Sequence, residues 1–67
     1  MQEVRDCLGK LVCMVDEETG IIESRNKKST TRTYLSVGNR QEYEINGILT
    51  TIIRKEKNFE YKSIKVS

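Results

Sequence analysis

Apolar and polar residues alternate along most of this chain with the two-residue period of half-buried strands, and turn residues interrupt the alternation every 8 to 12 positions. Leu11, Cys13 and Val15 share one phase. The Asp16-Glu17-Glu18-Thr19-Gly20 segment then closes a first hairpin onto residues 21–27, with Gly20 at the positive-φ position that such a loop needs. Placing Val15 opposite Gly20 brings Cys13 across from Ile22. A second hairpin turns near Lys28-Ser29; with Lys27 opposite Thr30, Ile22 faces Leu35 on the core side and Arg25 faces Arg32 on the other. Gly38-Asn39-Arg40 reads as a third turn, for which two closures compete. A two-residue turn pairs Tyr34 with Tyr43 but sends Ile45, Ile48 and Ile52 to the basic face. A three-residue turn with a bulge pairs Leu35 with Tyr43 and Thr33 with Ile45, keeps apolar against apolar, and is preferred. Asn46-Gly47 is the clearest signal, a type I′ turn that pairs Ile45 with Ile48. A last hairpin at Lys57-Asn58 sets Lys55 across from Glu60 and Arg54 across from Tyr61. The N-terminus departs from this pattern: Val4, Cys7 and Leu8 fall at i, i+3 and i+4 ahead of Gly9, which predicts a short helical turn over residues 1–8.

Sorting the strands by phase gives an expected core of Leu11, Cys13, Val15, Ile22, Leu35, Val37, Tyr43, Ile45, Ile48 and Ile52. The opposite phase is not cleanly polar, because Val12, Met14, Ile21, Tyr34, Leu49, Ile53, Ile64 and Val66 also call for cover. Ile48 to Ile53 is apolar in both phases, as in a strand buried on both sides. Phe59 and Tyr61 have one parity and Ile64 and Val66 the other, which places a bulge near Ser63. The expected fold is therefore all-β: an antiparallel meander of five or six short strands in one domain over residues 1–67. It is strongly curved, and it closes into a small barrel or is completed by dimerisation. Composition agrees, since Ala is absent and Val, Ile, Thr, Tyr and Phe supply 22 of 67 residues.

Composition also narrows the chemistry. There is no His, so the commonest general base and metal ligand is missing, and a core this small leaves little room for a deep cleft. Glu42 and Glu44 form an i, i+2 pair that reads as a solvated strand edge. Asp16-Glu17-Glu18 lacks the oxygen spacing of a calcium loop. Cys7 and Cys13 have no zinc spacing; Cys13 reads as a small buried hydrophobe, while Cys7, nearer the terminus, is expected to be partly exposed. The glycines mark turns, not a phosphate loop. The expectation is a non-enzymatic protein with no cofactor, no metal and no small-molecule substrate. Lacking a leader-like N-terminus and an apolar run longer than Leu11–Val15, it is expected to be cytoplasmic and not to engage membranes.

Net charge is only +2, but it is unevenly spread: residues 1–23 carry −4, and residues 24–40 carry +5 with no acid. The basic hairpin, residues 24–34, gathers Arg25, Lys27, Arg32 and Tyr34 on one side of a two-stranded ribbon, with Lys28 at its turn. Arg25 opposite Arg32 needs a counterweight: Glu23, the acidic 16–18 loop of a neighbouring subunit, or an external polyanion. Together with Met14 and Ile21 on the adjoining face, these residues form the candidate partner-binding surface. A protein partner or self-association is the leading reading. Nucleic acid entered by the ribbon is an alternative, although four or five phosphate contacts give a salt slope of only about −4. A self-assembling structural subunit is another.

The cadence Gly9-Lys10-Leu11-Val12-Cys13 to Val15-Asp16, followed by Thr19-Gly20-Ile21-Ile22-Glu23, resembles short β-rich proteins of bacterial phages and integrated mobile elements. The resemblance covers this hairpin and implies an inhibitor or adaptor that docks on a protein.

Overall fold

The computed structural model describes residues 1–26 and 28–66. It is all-β, with seven strands: β1 Gln2–Arg5, β2 Leu11–Asp16, β3 Ile21–Asn26, β4 Ser29–Tyr34, β5 Arg40–Ile45, β6 Ile48–Arg54 and β7 Phe59–Lys65. They form two antiparallel sheets, β1-β2-β3-β4 and β5-β6-β7, which do not close into a barrel. Val4, Cys13, Val15 and Ile22 from the first sheet and Ile52 and Phe59 from the second bury one shared cluster, edged by Tyr43 and Ile45. The shortest dimension of the molecule, 16 Å, suits two layers spaced about 10 Å apart.

The strand count exceeds the expected five or six because the N-terminus pairs instead of coiling. Residues 2–5 form β1, with Val4 opposite Cys13 and fully buried, and no helical turn forms. The apolar i, i+3, i+4 pattern misleads because Leu8 lies in a turn and is 78% exposed. Asp6 organises that turn: its Oδ1 accepts from the backbone N–H groups of Leu8 and Lys10 at 2.9 and 3.0 Å. The bulge falls here too, because Arg5 pairs with Leu11 and leaves Val12 as the extra residue on β2. Val12 is thereby buried and Leu11 is exposed, the reverse of the simple alternation.

Three expected registers shift by two residues without changing faces. Val15 sits opposite Ile22, not Gly20. On β3 and β4, Ile22 pairs with Thr33 and Arg25 with Thr30, so the two arginines are not opposed; Glu23 faces Arg32 instead. The last hairpin pairs Arg54 with Phe59 and Ile53 with Glu60, so neither Lys55 with Glu60 nor Arg54 with Tyr61 is formed. A four-residue turn, in which Lys55 N–H donates to the Asn58 carbonyl at 2.8 Å, sets that register. β7 runs unbroken along β6, without the bulge expected near Ser63; Ile64 lies opposite Leu49 on the outer face, 53% exposed.

The Asn46-Gly47 turn is as expected. Both residues have positive φ, 52° and 78°, and Ile45 pairs with Ile48. The third hairpin, in either closure, is absent: β4 and β5 do not pair, and residues 35–39 carry the chain from one layer to the other. Val37, 50% exposed, therefore leaves the core set.

Arg54 holds this crossing. Its N–H donates to the Asn39 carbonyl at 3.0 Å and its carbonyl accepts from Gly38 N–H at 2.8 Å. Its Nη1 donates to the Leu35 carbonyl at 2.8 Å, and Leu35 N–H in turn donates to Gly20 at 2.8 Å. Gly20, buried with φ +77°, leaves the space that the guanidinium occupies. Arg54, through its side chain and its backbone together, thus ties the end of β4 to the start of β5, with its guanidinium packed against Gly20 of the 16–20 turn.

Candidate protein-docking face

Antiparallel pairing puts Glu3, Met14, Glu23 and Arg32 in one row across the outer face of the four-stranded sheet. Ile21 and Tyr34 form the next row on one side, and Arg25 with Thr30 the row on the other. Of the residues expected to bind a partner, Met14, Ile21, Arg25, Arg32 and Tyr34 therefore share one face. Lys28 is exposed in the turn beyond them, and Lys27 lies outside the described residues.

Glu23 is the centre of this face. It is buried, and its Oε1 accepts from Arg25 Nε at 3.1 Å while its Oε2 accepts from Arg32 Nε at 3.3 Å. Of the three counterweights considered for the two arginines, this is the one present within the chain. The guanidiniums remain largely open to solvent, with side chains 75% and 70% exposed. Hydrogen bonds from Arg25, and then from Arg32, hold the Glu23 carboxyl below the usual glutamate range. A lowered folded value means that this carboxylate stabilises the fold fully above the unfolded value of about 4.3, and that the contribution disappears as pH falls through the folded value. Glu23→Gln is accordingly expected to lower the thermal midpoint at neutral pH, with the gap to the parent closing in acid; midpoints measured across that range check it.

Beside the triad lies an open hollow of about 270 Å³, lined by Glu3, Leu11, Val12, Cys13, Met14, Glu23 and Arg25. Burial pushes the Cys13 thiol up to about 11, so it is neutral at physiological pH and packs as a hydrophobe. At the other end, Tyr34 is 64% exposed, and the Arg54 guanidinium lies 5.4 Å from its ring centroid. Sequence reading missed Arg54 as a support for this face. Its signal is a cation continuing the buried phase Ile48, Thr50, Ile52.

The arrangement offers hydrogen-bond donors, an exposed aromatic ring and a modest apolar strip. Among the described residues no group of three His, Cys, Asp or Glu side chains is placed to hold a metal ion, and no helix is long and apolar enough to cross a membrane. Fold and face together define a small two-sheet antiparallel β protein with one charge-organised face. Comparison with family models, curated proteins and solved structures finds no match.

Proposed function

We propose that this chain is a non-catalytic binding module, acting as an inhibitor or adaptor, that docks an acidic segment of a protein partner on the outer face of β1-β2-β3-β4. The observation that carries this reading is the Arg25–Glu23–Arg32 triad beside Met14, Ile21 and the exposed Tyr34. One carboxylate orients two exposed guanidiniums and leaves the triad with an excess positive charge. Tyr34, with its ring against the Arg54 guanidinium, supplies an exposed aromatic anchor. The same triad argues against nucleic acid as the main ligand: with one of two arginine charges neutralised, about three or four phosphate contacts remain, too few for firm binding at physiological salt.

A peptide of alternating Glu and Leu and a random-sequence DNA duplex, each fluorescently labelled, distinguish the readings by anisotropy at low and physiological salt. The peptide is expected to bind, and Arg25→Ala or Tyr34→Ala to weaken it about tenfold. Tighter binding of the duplex at both salts transfers the function to nucleic acid, and binding of neither probe removes the docking role.

Self-association is a second reading with its own support. β4 and β5 each pair on one side only, and a short link, residues 35–39, joins these two edge strands.

A further inference from the structure

We infer that two copies of this chain join through β4 and β5, with β4 of each copy pairing antiparallel to β5 of the other about a twofold axis parallel to the strands. The result is two continuous seven-stranded sheets packed face to face. The inference rests on the self-association reading and goes further by fixing the symmetry, the partner strand and the register.

Topology comes first. β4 ends the first sheet and β5 ends the second, each is six residues long, and five residues, 35–39, link them. Both ends of that link converge on Arg54, through Leu35 on one side and Gly38 and Asn39 on the other. The proposed assembly takes Tyr34 and Arg40, on either side of that link, as level in the two layers, with the two strands running in opposite directions from there. A twofold axis parallel to the strands, between the layers, exchanges the layers and leaves each residue's level unchanged. It brings β4 beside β5 of the second copy, antiparallel, with inner faces aligned and Tyr34 level with Arg40.

Charge then agrees with that register residue by residue. On the outer face Tyr34 meets Arg40, Arg32 meets Glu42 and Thr30 meets Glu44. On the inner face Thr33 meets Gln41, Thr31 meets Tyr43 and Ser29 meets Ile45. An exposed cation thus finds a carboxylate, and a ring finds a guanidinium. The competing twofold axis, perpendicular to the sheets, pairs β4 with β4 and β5 with β5. It sets Arg32 near its own copy and the Glu42 and Glu44 pair near theirs, so like charges oppose.

Burial points the same way. Ser29 and Thr31 face inward yet are exposed, and Tyr43 and Ile45 are only half covered at the β5 edge. β4 carries no Pro and no bulge to block addition, and two six-residue pairings supply about twelve main-chain hydrogen bonds.

Sedimentation of the full chain and a cross-linking experiment test this together. In a Cys7→Ser background, chains carrying Thr30→Cys are mixed with chains carrying Glu44→Cys under mild oxidation. The expected result is a dimer by sedimentation, disulfide-linked pairs in the mixture only, and dimerisation weakened about tenfold by Glu42→Lys, which reverses a charge pair at two places. A monomer at high concentration and low salt overturns both the self-association reading and this inference. A dimer in which Thr30→Cys chains link among themselves, or in which the mixture does not link, overturns the symmetry and register alone.

Discussion

Gly20→Ala is expected to cost about 2–4 kcal/mol, a large share of the stability of a chain this small. Two effects combine. An alanine at φ +77° carries a left-handed backbone penalty of about 1–2 kcal/mol. Its Cβ also falls where the Arg54 guanidinium lies, so the side chain must leave and the charge-assisted bond to the Leu35 carbonyl is lost, a further 1.5 kcal/mol or about that. Because the second effect passes through Arg54, the two substitutions should not add: in an Arg54→Ala background, Gly20→Ala should cost only its backbone share. Urea unfolding of the two single variants and the double variant measures this directly. Additive losses would mean that Arg54 does not hold the 16–20 turn.

Ile52→Ala is expected to cost about 2–5 kcal/mol. Ile52 is fully buried and projects from the second sheet into a core made mostly by the first, so its truncation opens a cavity between layers that share no main-chain hydrogen bonds within their ladders. Total stability for 67 residues is about 3–10 kcal/mol, so the variant should unfold near or below physiological temperature. Ile64→Ala, on the exposed outer face of the same sheet, should change stability by less than about 0.5 kcal/mol. Thermal unfolding of the two variants separates a shared interior from two sheets that merely adjoin.

What was legible in the sequence was local. The period-two pattern gives the all-β class, Asn46-Gly47 gives its turn and register, and phase alone places Met14, Ile21, Arg25, Arg32 and Tyr34 on one face. Register errors of two residues preserve that face, which is why it survives loops closed differently from expectation. The division into two sheets was not legible. Gly38-Asn39 reads equally well as a hairpin turn and as a crossing, and the choice depends on Arg54, fifteen residues further on. Val4 and Val12 were missed for a related reason: a bulge is set by which residue the partner strand skips, and the β1 segment carries no turn signal that announces pairing. The arginine opposition expected from a slipped register becomes, in the observed one, the shared Glu23 that organises the face.

Recognition by this face is tested most directly by two-dimensional NMR of the labelled protein titrated with the Glu-Leu peptide. Amides of Met14, Ile21, Arg25, Arg32 and Tyr34 are predicted to shift together and saturably, while those of Leu49, Thr51 and Ile64 on the opposite outer face stay still. Shifts centred on Leu49 and Ile64, or none at any residue, would contradict the assignment of β1-β2-β3-β4 as the docking face.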